Sequence, residues 1–191
     1  MDVVTLHNTP QQTGWIEVIC GCMFSGKTEE LIRRLRRAEI ARQKVTIFKP
    51  RVDNRYSADR IVSHNEQALS SVVVDSPADI MRLAGDAQVI GVDEAQFFTP
   101  DLVGVCDAMA NQGRRVIIAG LDQDYRGQPF GPMPQLLAVA EYITKTLAIC
   151  VVCGNPADRT QRTTQQHELV VVGAHNMYEA RCRRCFAPPS D

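Results

Sequence analysis

The stretch "WIEVICGCMFSGKTEEL", residues 15–31, decides the fold. A largely apolar run ends at a glycine. The eight residues that follow, "GCMFSGKT" at 21–28, fill every fixed position of G-x-x-x-x-G-K-[ST] and open an amphipathic segment. Glycines allow a backbone to wrap closely around phosphate oxygens, and N–H groups converge on an anion at a helix N-terminus. Gly21, Cys22, Met23, Phe24, Ser25, Gly26, Lys27 and Thr28 are therefore expected to cradle a nucleoside triphosphate, ATP being the ordinary case. Lys27 would meet the β- and γ-phosphates, and the Thr28 hydroxyl would ligate Mg²⁺.

Downstream, "TEELIRRLRRAEIARQ" places Leu31, Ile32, Leu35, Ala38 and Ala41 on one helical face. "KVTIF", "SVVVD", "AQVIGVD" and "RRVIIAG" read as strands. Ser76–Pro77 and Thr99–Pro100 each pair an N-cap with a proline suited to a first helical turn. Strands alternating with helices predict the α/β class, a P-loop NTPase-type parallel sheet with flanking helices. Ligands of such sheets bind at the carboxyl ends of the strands.

In "IGVDEAQFF", residues 90–98, such an end carries Asp93 and Glu94 side by side. Asp93 is placed to serve the Mg²⁺. Glu94 has two readings: it orients a water, as in an ATPase, or accepts a proton from a bound hydroxyl, as in a kinase. Phe97, Phe98, Tyr125 and Phe130 offer flat apolar surface for a base, although a single aromatic near a strand end is more often core.

The 191 residues are 45% hydrophobic and 23% charged, as in an ordinary globular chain. A net charge of −1 makes no electrostatic case for nucleic acid. The polar start "MDVVTLHNTPQQTG" lacks the layout of a signal peptide, and no run is long enough to span a membrane, so a cytoplasmic location is expected. Near residue 146 the character changes. "CVVC" and "CRRC" supply Cys150, Cys153, Cys182 and Cys185, with 28 residues between the pairs. Two C-x-x-C turns can offer four thiolates to a structural Zn²⁺; the alternatives are redox disulfides or packed thiols. The small C-terminal lobe is expected to be zinc-ribbon-like. Cys20, Cys22 and Cys106 lie in apolar context.

"GCMFSGKT", "FKPRVDNRY", "DEAQFF", "GLDQDYRGQPFGPMPQLL" and the paired C-x-x-C occur in that order. Together they resemble the type II thymidine kinase family over nearly all of residues 15–186. The resemblance implies transfer of the γ-phosphoryl group of ATP to the 5′-hydroxyl of deoxythymidine, with deoxyuridine as a second acceptor, in a cytosolic homotetramer. It implies that Glu94 is the general base, assisted by Lys27 and Arg55, and that Asp93, Glu94, Ala95 and Gln96 form a second nucleotide-contacting segment. It assigns Asp53 and Arg55 to the phosphate and metal side. Met23, Phe97, Leu121, Tyr125 and Phe130 would line the deoxynucleoside pocket, and Thr160, Val171, Gly173 and Tyr178 the loop that covers the base. Two stretches depart from the family pattern: "GAHNMY", with Ala174 where a second glycine is common, and "SHNE", without a glycine after His64.

The expected organisation is a tail over 1–14, an ATP-binding α/β domain over 15–146, a zinc-binding lobe with the base-covering loop over 147–186, and a tail over 187–191. Two rivals remain. A P-loop ATPase would share the phosphate loop and Asp93. A nucleic-acid-binding zinc ribbon would use the arginines of "LIRRLRRAEIAR", which lie largely opposite the apolar face as an ordinary solvated surface does.

Overall fold

Strand alternation splits the interior of this chain into two apolar layers, one on each face of a sheet. A computed structural model describes residues 13–51, 60–62, 68–164 and 177–188. In chain order its elements are β1 (Trp15–Cys20), α1 (Lys27–Ile40), β2 (Val45–Pro50), β3 (Arg60–Val62), β4 (Ala68–Ser70), β5 (Val72–Val74), α2 (Pro77–Leu83) and β6 (Val89–Val92). There follow a 3₁₀ turn (Ala95–Phe97), α3 (Asp101–Asn111), β7 (Arg115–Gly120), α4 (Met133–Val139) and β8 (Tyr142–Lys145), and then β9 (Ala148–Ile149), β10 (Pro156–Ala157), β11 (Arg159–Arg162) and β12 (Tyr178–Arg181).

Six strands form one sheet in the order β5-β2-β6-β7-β1-β8, with every neighbouring pair parallel. The α/β expectation holds, and the carboxyl ends of all six strands lie along one edge. Along β1, Ile16, Val18 and Cys20 join a cluster with Ile80 of α2, Leu102 and Met109 of α3 and Leu136 of α4. Ile19 belongs to the opposite cluster, with Leu31, Ile32, Leu35 and Ala38 of α1. Gly91 in β6 lets α1 settle: a Cβ there would lie 2.9 Å from Leu35 Cδ1. Ala41 does not share the buried face. The helix ends at Ile40, and Ala41 is its exposed C-cap.

Ser76 caps α2, its backbone N–H and hydroxyl both donating to Asp79 Oδ2 at 3.2 and 2.9 Å. α3 starts one residue after Pro100, which already has helical dihedrals (φ −54, ψ −21). Beyond β8 the chain forms a small lobe of two antiparallel ladders, β9 with β10 and β11 with β12. Among the described residues, no helix is long and apolar enough to cross a membrane.

One charged group sits within the α1-facing side of β1. Glu17 is 6% exposed. Its carboxylate accepts from Arg115 Nε at 2.5 Å, Arg34 Nη1 at 2.7 Å and Trp15 Nε1 at 2.8 Å. Arg34 also donates to Glu30 at 2.7 Å and to Thr144 Oγ1 at 2.8 Å, so it ties α1 to β1 and β8. Arg34 alone departs from the reading of the α1 arginines as a solvated face, since Arg33, Arg36 and Arg37 are exposed, and its pairing removes it from any nucleic-acid surface. Burial alone would push the Glu17 carboxyl up; the Arg115 guanidinium first, then Trp15 and Arg34, hold it below its ordinary 4.5.

Because the folded-state pKa is depressed, this carboxylate stabilises the fold above the unfolded-state value, and that stability disappears as pH falls through the folded value. Glu17→Gln leaves Arg115 without its carboxylate and Arg34 with the Glu30 carboxylate alone, and should cost about 3 kcal/mol, a loss of roughly 6–12 °C in Tm for a chain of this size. Thermal unfolding at neutral and acid pH checks both points: the gap between wild type and variant should be full at neutrality and shrink in acid.

Candidate functional site

β1 delivers the chain to the phosphate loop at Gly21, whose φ of 145° suits glycine. A Cβ there would lie 2.2 Å from the Thr146 carbonyl oxygen, so the loop passes directly over the segment that follows β8. Thr146 holds that approach with its backbone N–H and its hydroxyl, which donate to Cys20 O at 2.8 and 3.0 Å; its hydroxyl also lies 2.9 Å from Ser25 Oγ. Phe24 and Gly26 take left-handed conformations (φ 65 and 82), and α1 begins at Lys27. Lys27 Nζ donates to Cys22 O at 2.7 Å, and Ser25 Oγ donates to the same carbonyl at 2.8 Å. Desolvation lowers the Lys27 pKa, opposed chiefly by Glu94 and then by Cys22, Asp93 and Asp122.

Asp93 follows β6, two strands away from β1, and still meets the loop. The Thr28 hydroxyl lies 3.3 and 3.5 Å from its two carboxylate oxygens. Oxygens sharing an octahedral Mg²⁺ shell at ~2.1 Å lie about 3 Å apart, so this pair fits such an ion. Glu94 has a left-handed backbone (φ 52, ψ 42), a conformation that costs a non-glycine residue about 1 kcal/mol. Its N–H donates to Asp93 Oδ1 at 3.0 Å, and its carboxylate accepts from Gln96 Nε2 at 2.5 Å. Adjacent carboxylates thus have different partners: Asp93 meets the Thr28 hydroxyl, and Glu94 meets an amide.

The residues expected around the base divide. Met23, Tyr125 and Tyr178 are buried in one cluster, packed by Phe24, Leu121 and Met177. Thr160 Oγ1 accepts from Met23 N at 3.0 Å, which joins the phosphate loop to β11. Phe97 and Phe130 meet edge to face at 5.8 Å. Phe98 is not pocket surface; it packs in the core beneath α3. Nor is Tyr125 a bare platform, since the Arg162 guanidinium lies 3.6 Å over its ring. Arg162, itself 8% exposed, also donates to Tyr178 OH at 2.9 Å. No sequence signal singled out Arg162 within the polar run "ADRTQRTTQQH". Asp53, Arg55, His64, Val171, Gly173 and Ala174 lie outside the described residues, as does the departure "GAHN" of 173–176.

Cys150, Cys153, Cys182 and Cys185 converge, all four sulfurs lying within 4.8 Å of one another. Cys153 Sγ is 3.6 Å from the Sγ atoms of both Cys182 and Cys185. A disulfide would need ~2.05 Å, whereas thiolates around a tetrahedral Zn²⁺ at ~2.3 Å lie about 3.8 Å apart. All seven cysteines are free. Four thiols this close cannot all ionise without a cation. Burial opposes ionisation of Cys150, but the N–H groups of Cys182, Val152 and Cys153 bring it down to about 6, while the sulfurs of Cys153 and Cys182 push Cys185 up to about 12. Cys22 shares a buried cluster with Ala148, Cys150, Ala157, Ala180 and Cys182, and its Sγ donates to Ala157 O at 3.3 Å. Besides its place in the phosphate loop, it fastens that loop to the lobe.

Comparison with known proteins adds a family to this geometry. The sequence model described as "Thymidine kinase" matches residues 14–186. A protein named "Thymidine kinase" from Rhodothermus sp. (strain ITI 518) is 64% identical over 176 residues, an alignment that covers 92% of this chain and 83% of that relative.

The crowding at Gly21 makes a contrast that unfolding measurements can check. Gly21→Ala drives a methyl group into the Thr146 carbonyl and should cost about 3 kcal/mol. At Gly104, within α3, an added Cβ meets nothing within 4 Å, so Gly104→Ala should be neutral or stabilise by up to about 1 kcal/mol. Equal midpoints for the two variants would mean that Thr146 does not wall the loop.

Proposed function

The chain belongs to the thymidine kinase family, and we propose that it moves the γ-phosphoryl group of ATP onto the 5′-hydroxyl of deoxythymidine with Glu94 as general base. The reading rests on the strand end where Asp93 sits beside the Thr28 hydroxyl while Glu94, one residue on, is held by Gln96. In the transfer, a bond forms between the 5′-oxygen and the γ-phosphorus as the bond to the bridging oxygen of ADP breaks. The hydroxyl proton passes to the Glu94 carboxylate. Phosphoryl transfer depends mostly on positioning and charge neutralisation, so Lys27 and Arg55 are assigned the transferring group's negative charge. Mg²⁺, held by Thr28 and Asp93, would supply further neutralisation.

Met23, Phe97, Leu121, Tyr125 and Phe130 are proposed to line the nucleoside pocket, closed by Thr160, Val171, Gly173 and Tyr178. Clustering of Met23, Tyr125 and Tyr178 supports this assignment. Deoxyuridine is a second acceptor, lacking only the methyl group of thymine, a difference usually worth about 1–3 kcal/mol. The four-cysteine cluster is assigned a structural Zn²⁺. Cysteines without disulfides suit the reducing cytosol. A homotetramer is the proposed assembly, supported by the apolar edge at β8 and beyond it, where Ile143, Leu147 and Ile149 are 54, 51 and 67% exposed.

Transfer of labelled γ-phosphate from MgATP to deoxythymidine tests the reaction. Wild type should form dTMP, and Glu94→Gln should be slower by about 10²–10⁴-fold. ATP hydrolysis without transfer to any deoxynucleoside would remove the acceptor assignment. Metal analysis tests the lobe: Cys153→Ser should lose bound zinc and lower Tm. Because the lobe packs on Cys22 and Met23, the same variant should raise the KM for ATP.

A further inference from the structure

β11 and β12 pair antiparallel, with Thr160 opposite Ala180 and Arg162 opposite Tyr178. Side chains alternate along a strand, so these four residues share one face of the ladder, and all four are buried. Thr160 Oγ1 accepts from Met23 N of the phosphate loop at 3.0 Å. Two residues on, the Arg162 guanidinium carbon lies 3.6 Å from the ring centroid of Tyr125, in the loop that follows β7, and 5.3 Å from that of Tyr178. Its Nη2 donates to Tyr178 OH at 2.9 Å.

A guanidinium at 8% exposure needs surroundings that answer its charge. Two tyrosine ring faces and one phenol oxygen contribute to that, and the two tyrosines come from different parts of the chain. Tyr125 belongs to the loop between β7 and α4, and Tyr178 to the cysteine lobe. A planar guanidinium can lie flat on one ring while an N–H at its edge donates to the hydroxyl of the other; an ammonium is a point charge and cannot do both. The Tyr125 ring is gripped at its far end as well, where its hydroxyl accepts from Arg126 Nε at 3.0 Å. The ladder has further anchors of its own, Thr160 on Met23 and Arg159 Nη1 on Gln123 Oε1 at 2.5 Å. Replacing Arg162 therefore disturbs the setting of the two rings without releasing the lobe.

We propose that Arg162 is a positioning residue for the nucleoside acceptor, fixing Tyr125 and Tyr178 relative to each other and so setting walls between which the deoxythymidine base is held. It acts through the two rings and not on the reacting atoms. Walls set in advance spare the acceptor the cost of ordering them when it binds. The dependence is selective: acceptor binding draws on Arg162, whereas donor binding draws on the phosphate loop, which Thr160 and Cys22 hold. The inference rests on Met23, Tyr125 and Tyr178 lining the nucleoside pocket.

Steady-state dTMP formation at varied deoxythymidine and varied MgATP tests it, together with zinc content and Tm. The set is wild type, Arg162→Lys, Arg162→Met, Tyr178→Phe, the Arg162→Met/Tyr178→Phe double variant, Tyr125→Leu and Cys153→Ser. Both Arg162 variants should raise the KM for deoxythymidine by at least about fivefold, with the KM for ATP within about twofold and full zinc content. Lysine keeps the charge, so its failure to restore the KM separates the setting of the rings from charge alone. Tyr178→Phe removes one acceptor atom and should raise the KM by less. It should add little to Arg162→Met, where that bond is already gone. Cys153→Ser, which loosens the whole lobe, should raise both KM values.

A wild-type KM for deoxythymidine in Arg162→Lys would overturn the proposal. So would Arg162 variants that lose zinc and raise both KM values together, as Cys153→Ser does, since Arg162 would then be a brace of the lobe. Effects that multiply in the double variant would make Arg162 and Tyr178 independent and overturn the bridge between them. If Arg162→Met does not fold, the lysine variant decides. A Tyr125→Leu enzyme with an unmoved KM for deoxythymidine would overturn the pocket assignment, and this inference with it. A raised KM in Tyr125→Leu beside unmoved Arg162 variants removes only the role of Arg162.

Discussion

The approach of Gly21 to the Thr146 carbonyl is the constraint on which the site depends. A phosphate loop must expose N–H groups without collapsing, and here it is gripped from two sides. Thr146 bonds to Cys20 and lies against Ser25 behind the loop. The lobe holds the other side through Cys22 with Ala157 and Met23 with Thr160. The last strand of the sheet therefore runs straight into the brace of the loop, and four residues after Thr146 comes the first cysteine of the cluster. Phosphate loop and lobe are one mechanical unit.

The other half of the site is built across the ends of β6 and β7. Asp93 and Glu94 are consecutive, but a left-handed turn at Glu94 gives the two carboxylates different partners. Such a backbone persists only where its surroundings over-determine it. Asp93 accepting the Glu94 N–H and Gln96 accepting from Leu121 do that work. Both bonds use backbone groups just beyond strand ends, so the geometry of the two carboxylates is referred to the sheet.

Charge is handled in the same economical way. Glu17 would be a liability inside a β-strand, but Arg34 and Arg115 converge on it from a helix and a neighbouring strand. The network fixes α1 against the sheet, and α1 carries Lys27 and Thr28 at its first turn. Register between helix and sheet is thereby passed to Lys27 and Thr28. Asp122 and Lys145 form a further ion pair at 2.6 Å between the ends of β7 and β8, on either side of β1.

Much of this was legible in the residue order, because local chemistry has local signatures. "GCMFSGKT" after an apolar run specified a strand, a glycine turn and a helix; alternating strands and helices specified a parallel sheet; the C-x-x-C pairs specified the four-sulfur cluster over its disulfide rivals only once their sulfurs were seen 3.6 Å apart. Long-range pairing had no such signature. Nothing near Glu17 in sequence announces Arg115, and nothing near Tyr125 announces Arg162. Phe98, offered with three other aromatics as surface for a base, proved core, as a single aromatic near a strand end more often does; in sequence it looks the same in either setting. By itself the sequence determined which residues are candidates for chemistry and which elements carry them, since spacing and turn type are properties of the chain. Only the tertiary structure decided which buried polar group answers which. Those partners lie many residues apart, and a buried charge or amide selects them by distance in space.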